Sequence, residues 1–155
     1  MVRLADLPDW DRNSKLDKVR DLTGFDERPW VKPSPLAQCR IALVTTAGLH
    51  RKGDRPFGPG ATDYRIIPGA TPASELVMSH QSVNFDRTGY QEDHNVVLPV
   101  DRLNEFAQRK SIGSVAAFHY SFMGATQIRK LESKARELAG LLKEDRVDAV
   151  LLTPV

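Results

Sequence analysis

Small polar side chains and a histidine follow three predicted strands of this chain, at positions where a small molecule could be held. Ligands of open α/β sheets bind in the crevice outside the carboxyl ends of the strands. Hydroxyl and imidazole groups at such positions can donate and accept hydrogen bonds to a polar substrate. The candidate substrate-binding residues of this kind are Thr45, Thr46 and Gly48 after one strand, Ser79 and His80 after another, and Tyr120 and Ser121 after a third.

His80 is followed in the sequence by further acidic and imidazole side chains. With Asp86, Asp93 and His94 it offers an acid–base pair or a set of metal ligands. The spacing lacks the helical His-Glu-x-x-His pattern of a zinc site, so we expect no metal here. The alternative interpretation is that both carboxylates accept hydrogen bonds from loop amides. Asp86 and Asp93 are therefore candidate substrate-binding residues, and contact between His80 and a substrate stays open.

The segment His119–Gly124 joins a strand end to a predicted helix start. A glycine before a helix allows backbone amides to approach an anion such as a substrate carboxylate. The alternative is that the aromatic and methionine side chains of this segment only cap the core. A basic run in an earlier loop also has two interpretations, a carboxylate cap or a solvated surface, and consists of Arg51, Lys52 and Arg55.

The one cysteine, Cys39, lies at the start of a predicted strand. A nucleophilic cysteine is expected at a strand's carboxyl end or at a helix N-terminus, where the thiolate is stabilised. Cys39 lies at the opposite end of its strand, which predicts a structural or surface thiol. A single cysteine also excludes a disulfide framework within these residues.

The elements that position these residues alternate between strands and helices. Arg40–Thr46 is a continuous apolar run, which is typical of a strand covered on both faces. Thr126 is a suitable N-cap for the longest predicted helix, Gln127–Asp145. The other predicted strands are Tyr64–Ile67, Glu75–Met78, Val96–Leu98, Ile112–Phe118 and Val147–Leu152. The other predicted helices are Ser14–Thr23 and one that begins at Pro99 or Val100. The predicted loops are His50–Thr62, Ser79–Asn95 and His119–Ala125. This order predicts an α/β fold with a mostly parallel sheet flanked by helices.

Length and charge limit the function classes. The chain has 155 residues and a formal net charge of +2, which is too balanced for nucleic-acid binding through charge alone. Its apolar runs are far shorter than the roughly 20 residues of a membrane span. The first residues also lack the apolar stretch of a secretion signal. We therefore expect a cytoplasmic protein without nucleic-acid or membrane partners. We further expect an extended arm with a short helix at residues 1–38, and an α/β domain at residues 39–155.

Four groups of segments, taken in order from about Leu36 onward, point to a known family. They are residues 42–50 (ALVTTAGLH) with 64–68 (YRIIP), residues 79–80 (SH) with Asp86, 89–90 (GY), Asp93 and 95–103 (NVVLPVDRL), residues 112–113 (IG) with 119–124 (HYSFMG), and residues 148–155 (DAVLLTPV). Each segment alone is unspecific. The ordered set resembles the selenoprotein B family of glycine, sarcosine, betaine and D-proline reductases.

The resemblance implies a reductase component that cleaves a C–N bond of glycine, sarcosine, betaine, D-proline or a related amine. It implies that a selenolate or thiolate displaces the amine from the substrate's α-carbon, and that a neighbouring thiol resolves the product. The family's redox motif, selenocysteine or cysteine, two residues and cysteine, would follow directly after Val155. On this interpretation the chain is the N-terminal portion of a larger α/β domain, supplies the substrate crevice and is inactive alone.

Two explanations of the missing redox motif are open. In one, the codon after Val155 is a UGA meant for selenocysteine and read as stop. In the other, the chain is a shortened homologue that works as a non-catalytic small-molecule-binding or assembly subunit. The implied partners are a small amino-acid or amine substrate, other reductase subunits or a second copy of the chain. A partner subunit could carry a pyruvoyl group, and we expect no cofactor within this chain.

The last predicted strand, Val147–Leu152, is apolar, and no later element covers one of its flanks. We therefore expect an exposed apolar patch or an unpaired strand edge there. Such a surface predicts self-association or marginal stability of the isolated chain.

Overall fold

The computed structural model describes residues 3–20, 31–83 and 85–155. The chain divides into two compact units, residues 1–32 and 33–155. The first unit contains helix α1, Asp9–Arg20. This helix begins five residues before the predicted start at Ser14, because the Pro8 carbonyl accepts the amides of Asp11 and Arg12 and so closes the first turn. The predicted end of the helix at Thr23 lies outside the described residues, and the division after residue 38 stays a prediction.

The second unit is built on a sheet with helices, and its α/β character confirms the predicted fold class. Its described strands are β1 (Arg40–Thr45), β2 (Leu49–Arg51), β3 (Arg65–Pro68), β4 (Leu76–Met78), β5 (Ser114–Val115), β6 (Phe118–Ser121) and β7 (Ala149–Thr153), and its described α-helices are α2 (Thr88–Glu92), α3 (Val100–Gln108) and α4 (Glu132–Glu144). β1 is parallel to β5, β6 and β7, whereas β3 is antiparallel to β6. β2 and β4 form a separate antiparallel pair.

β1 is the central strand because its apolar residues are buried on both faces. Leu43 belongs to one core cluster together with Leu103 of α3. Val44, the next residue, packs against the other cluster, which contains Leu138 of α4. Successive side chains of a strand point to opposite faces, so α3 and α4 cover opposite faces of the sheet.

β7 is an edge strand. It pairs with β1 along its whole length, from Ala149 to Thr153. β5 and β6 pair with the two ends of β1 and so share the side opposite β7. Within the described part of the chain, no strand pairs with the outer side of β7. Val150, Leu151 and Leu152 are 37%, 43% and 67% exposed, which agrees with the expected apolar strand edge.

The predicted strand Ile112–Phe118 is wrong as a single element. The ladder beside β1 is interrupted between β5 and β6, and the predicted loop His119–Ala125 begins with three residues of β6. At the interruption a side chain replaces a backbone acceptor, since Nδ1 of His119 accepts the Leu43 amide at 3.1 Å. The hydrophobic pattern of the sequence does not reveal that a side chain takes the place of a backbone acceptor here.

The predicted loop boundaries fail where short elements form within polar segments. His50 and Arg51 belong to β2, because their backbone pairs with β4. The predicted loop Ser79–Asn95 contains α2. The predicted strand Val96–Leu98 is wrong, because the Asp93 carboxylate accepts the Asn95 amide and begins a 3₁₀ turn at His94–Val96.

Thr126 is not the N-cap that the sequence predicts. Its hydroxyl donates to the Ala61 carbonyl oxygen at 2.7 Å, which holds a distant loop. A 3₁₀ turn, Ile128–Leu131, follows, and the α-helical hydrogen bonding of α4 begins only at Glu132. The start of α3 at Val100, directly after Pro99, agrees with the prediction.

Candidate functional site

The carboxyl ends of β1, β6 and β7 lie side by side. Thr45 pairs with Ser121 of β6 on one side and with Thr153 of β7 on the other. The Thr46 amide donates to the Thr153 carbonyl oxygen at 3.2 Å, and its Oγ1 accepts the Val155 amide at 2.8 Å. We call these five residues the carboxyl edge. The parallel order of the three strands produces this meeting point, as the sequence predicts.

Gly48 brings Ser79 and His80 to the carboxyl edge. The Gly48 carbonyl accepts the Ser79 amide at 3.0 Å, and the Gly48 amide donates to the Phe122 carbonyl oxygen at 2.9 Å. Gly48 has a φ of +66°, and a Cβ atom there would lie 3.1 Å from the backbone of His80. The turn and the close approach both require a residue without a side chain.

The hydroxyls of the candidate residues are engaged with backbone groups. Thr45 Oγ1 donates to the Thr153 carbonyl oxygen at 3.2 Å. Ser121 Oγ accepts the Leu49 amide at 2.7 Å, and Ser79 Oγ accepts the Phe57 amide at 2.9 Å. These side chains fix the surrounding strands and loops in place. A ligand that took them as partners would have to displace a backbone group.

His80 differs from these residues because one of its ring nitrogens has no hydrogen-bond partner in the part of the chain that the structure describes. The side chain is buried, with 4% of the residue exposed, and its ring packs edge-on against Phe85 at 5.0 Å. Nδ1 accepts the Ser82 amide at 3.1 Å, which places the ring proton on Nε2. Nε2 is buried without a hydrogen-bond partner among the described residues. Burial, with a smaller effect of the Arg87 charge, lowers the pKa of His80. The site therefore contains a neutral imidazole with a free, buried N–H donor.

Asp86 and Asp93 are hydrogen-bonded within their own turns. Asp86 Oδ1 accepts the amide of Thr88 at 2.9 Å and its hydroxyl at 2.6 Å. Asp93 Oδ1 accepts the amide and the side-chain amide of Asn95, both at 2.9 Å. These hydrogen bonds lower the pKa of each carboxyl group. The geometry matches the structural interpretation of both residues, and a role in substrate binding stays a prediction.

No group of three or more His, Cys, Asp or Glu side chains in the described ranges is placed to hold a metal ion. His94 lies beside two carboxylates, with its Nδ1 3.8 Å from Asp93 and its Nε2 3.5 Å from Asp101. The start of α3 is joined to the preceding turn by Asn95, whose Nδ2 donates to Asp101 Oδ2 at 2.9 Å and whose Oδ1 accepts the Asp101 amide at 3.1 Å.

The surroundings of Tyr120 and Gly124 match the alternative interpretation of this segment, in which its side chains cap the core, and substrate binding by Tyr120 stays a prediction. Tyr120 is buried with its ring 5.9 Å from that of Tyr64, in the core cluster beneath α4, and burial raises its pKa. The Gly124 amide donates to the Thr46 carbonyl oxygen at 2.8 Å and so is not free for an anion. The proposed helix N-terminus beside Gly124 is also absent, because α4 begins eight residues later.

His119 is a buried polar residue whose role the sequence did not reveal. It is completely buried, and its Nε2 also lacks a partner within the described residues. Burial lowers its pKa to about 4, against a smaller opposing effect of Asp145. Because its Nδ1 accepts the Leu43 amide, His119 joins β6 to β1, and we assign it a structural role in the sheet.

Cys39 lies before β1, at the end opposite the carboxyl edge. It is 1% exposed, and its thiol donates to the Ser34 carbonyl oxygen at 3.3 Å. The residue therefore has the surroundings of a structural thiol. It does not fit the redox motif that the resemblance implies, because it is inaccessible and remote from the candidate binding residues.

Comparison with known proteins identifies one family profile and several relatives that are named as reductase subunits. The sequence profile described as glycine/sarcosine/betaine reductase selenoprotein B matches residues 20–155. The D-proline reductase subunit gamma of Acetoanaerobium sticklandii is 36% identical over 121 residues, which are 76% of this chain and 49% of that protein. The glycine reductase complex component B subunit gamma of Symbiobacterium thermophilum is 32% identical over 141 residues, covering 85% of this chain and 32% of that protein.

A third relative extends the range of named substrates. The sarcosine reductase complex component B subunit beta of Peptoclostridium acidaminophilum is 29% identical over 138 residues, covering 83% of this chain and 31% of that protein.

No solved structure matches the chain significantly. The described helices include none long and apolar enough to cross a membrane. The matched residues span between 28% and 49% of the length of the curated relatives that the chain matches. The profile covers most of the chain, which therefore belongs to the glycine/sarcosine/betaine reductase selenoprotein B family.

Proposed function

We propose that this chain is a component of a reductase that cleaves the C–N bond of glycine, sarcosine, betaine, D-proline or a related amine. Family membership supports the reaction class, since the relatives are named as subunits of glycine, sarcosine, betaine and D-proline reductases. Within such a complex, residues 33–155 would supply part of the substrate crevice at the carboxyl edge. A selenol or thiol would supply the redox chemistry.

The free Nε2–H of His80 is the observation that carries the assignment of the crevice. Thr45, Ser79 and Ser121 have partners in the backbone, whereas the buried His80 donor has no acceptor within residues 3–20, 31–83 and 85–155. A buried donor without a partner is costly, and an oxygen of a bound substrate would satisfy it. Gly48 fixes the His80 backbone against the turn that follows β1. In this proposal His80 binds and orients the substrate as a neutral donor, and it transfers no proton.

The redox group of the proposed reductase is not Cys39. This thiol is buried at the opposite end of β1, and its donor is engaged with the Ser34 carbonyl oxygen. The chain has no other cysteine. We therefore propose that the selenocysteine or cysteine pair belongs to polypeptide outside these 155 residues, and that a pyruvoyl group, if the complex uses one, belongs to a partner subunit.

Contact with further polypeptide is the second element of the proposal. The relatives are named as subunits of complexes. The aliphatic side chains of Val150 and Leu152 are exposed on an edge strand, where other polypeptide of the complex would cover them. A non-catalytic binding or assembly subunit would use the same surface.

Calorimetric titration of the chain with glycine, sarcosine, betaine and D-proline tests the crevice. His80→Asn keeps an acceptor near the Nδ1 position for the Ser82 amide but loses the Nε2–H donor, whereas His80→Gln keeps a donor near Nε2. We expect one of the four compounds to bind saturably, and His80→Asn to weaken its binding by about tenfold or more. His80→Gln should retain more of the affinity. The assignment is wrong if none of the four binds, or if both variants bind like the wild type.

A further inference from the structure

The loop between β2 and β3 lines an open surface pocket of about 280 Å³ whose lining is polar and carries two guanidinium groups. Its walls include Arg55, Asp63 and Arg65, together with the glycine- and proline-rich turn at residues 58–60. The sequence leaves the role of this loop open, and the proposed crevice at His80 does not use it.

The loop is held in a fixed conformation by contacts at several points. The Phe57 ring is buried and lies beneath the Arg65 guanidinium, whose central carbon is 4.3 Å from the ring centroid. The Phe57 amide donates to Ser79 Oγ, and its carbonyl oxygen accepts Gln81 Nε2 at 3.3 Å. Thr126 Oγ1 holds the Ala61 carbonyl from the other side. The pocket is therefore formed before any ligand arrives.

One guanidinium of the pocket, that of the exposed residue Arg55, has no ion-pair partner among the residues that the structure describes. Arg65 Nη1 forms an ion pair with Asp63 Oδ2 at 2.8 Å, and Arg65 Nε donates to the Arg55 carbonyl oxygen at 2.8 Å. The guanidinium of Arg55 has neither an acceptor nor an ion-pair partner within residues 31–83 and 85–155. By contrast, Arg51 in the same basic run is paired with Asp54 at 3.2 Å.

Three backbone donors of the same loop, two of them on exposed glycines, likewise lack an acceptor among the described residues. The amides of Gly58, Gly60 and Thr62 have no acceptor within the described part of the second unit. A guanidinium beside several free amides matches the two oxygens of a carboxylate, because both groups donate hydrogen bonds and the charges attract. The lining carries no aliphatic or aromatic side chain apart from prolines and Ala61, which disfavours an apolar ligand.

We propose that this pocket binds a small carboxylate, with Arg55 as its charged donor. The four amines of the proposed function also carry a carboxylate, so the pocket is a second site at which they could bind. Acetate has no amine and no C–N bond, so it tests the pocket separately from the reductase function. Inorganic phosphate shares the oxyanion chemistry and is the second probe of the test.

The test is an NMR titration of the full chain with sodium acetate, and separately with inorganic phosphate, at constant ionic strength. Acetate should shift the amide signals of residues 58–62 saturably, and more strongly than phosphate at equal concentration. Arg55→Gln should weaken acetate binding by about tenfold. Arg109→Gln, an exposed arginine after α3, should bind acetate like the wild type, and so should His80→Asn.

Three results would overturn the proposal. The first is an unchanged acetate affinity of Arg55→Gln, and the second is an equal loss in Arg109→Gln, which would indicate non-specific attraction. The third is a stronger saturable response to phosphate than to acetate, which would assign the pocket to phosphate. Because the Arg55 side chain has no partner in the described ranges, the Arg55→Gln variant should keep the wild-type melting temperature, and a thermal melt checks this.

Discussion

The imidazole of His119 accepts the backbone amide of Leu43 through Nδ1 at a distance of 3.1 Å. This hydrogen bond crosses from β6 to β1 at the point where the β5–β6 connection leaves the ladder. The acceptor role requires the neutral ring, because a protonated imidazole has two donors and no acceptor. The central strand is thus joined to β6 by a bond that depends on the protonation state of a buried histidine.

We predict that acid destabilises the fold through His119. Burial lowers its pKa to about 4 in the folded chain, against an ordinary value of 6.5. Between these values the unfolded chain binds a proton that the folded chain does not. The contribution of the neutral His119 ring to the free energy of unfolding is therefore fully present above pH 6.5. It is lost as the pH falls from 6.5 to 4. It amounts to about 3 kcal/mol of the free energy of unfolding.

Urea denaturation at several pH values between 7.5 and 4 measures this effect. His119→Asn is the matched variant, since its side-chain oxygen can accept the Leu43 amide and does not titrate. Its free energy of unfolding should start lower because of lost packing, but should fall less between pH 6.5 and 4. Equal pH slopes in the two proteins would contradict the role of His119.

The turn after β1 should tolerate no side chain at Gly48. Gly48→Ala places a Cβ atom 3.1 Å from the His80 backbone at a φ of +66°. We expect a loss of about 2 kcal/mol in the free energy of unfolding. Gly140→Ala is the control, because Gly140 lies within α4 with no atom within 4 Å of the added Cβ. This control should gain about 0.5–1 kcal/mol. A Gly48→Ala protein as stable as the wild type would refute the geometry of the turn.

Cys39 should react slowly with iodoacetamide in the folded chain and rapidly in urea, because it is 1% exposed. A variant that combines Cys39→Ala with Ser133→Cys, which places a thiol on the exposed surface of α4, provides the fast control. Cys39→Ser should leave amine binding unchanged. Rapid alkylation of Cys39 in the native chain, or a large loss of binding in Cys39→Ser, would mean that this thiol has a functional role.

The outer side of β7 should cause concentration-dependent self-association of the isolated chain. Leu152 is 67% exposed on an edge strand, and Leu152→Lys should reduce the association by adding a charge there. Ile128→Lys is the control, since Ile128 is 65% exposed but lies outside the sheet. Sedimentation velocity gives the sizes. A wild-type monomer at high concentration, or an equal effect of both substitutions, contradicts this prediction.

The sequence predicts the elements whose cause is local. β1 is recognisable because its apolar residues are consecutive, and α3 because Pro99 precedes a residue that can begin a helix. The meeting of Thr45, Ser121 and Thr153 follows from the parallel order of their strands. These features depend on residue type and on chain order, and both are visible in one sequence.

The remaining features depend on contacts between distant residues. The Thr126 hydroxyl donates to the Ala61 carbonyl oxygen and does not cap the first turn of α4. A prediction based on its capping preference therefore places the start of the helix too early. His119 interrupts the ladder by bonding to Leu43, 76 residues away in sequence. Hydrophobic periodicity contains neither contact. For the same reason the sequence could place His80 near the carboxyl edge but could not identify its Nε2 as an unpaired donor.

The most direct test of the central claim is the rate of amine reduction by the reductase assembled from this chain and the other subunits of its complex. Glycine, sarcosine, betaine and D-proline are each supplied with a dithiol, which provides two electrons for every C–N bond cleaved. We predict that one of the four is consumed only when this chain is present, and that His80→Asn slows its consumption more than His80→Gln. Undiminished consumption in the absence of this chain would contradict the proposed function.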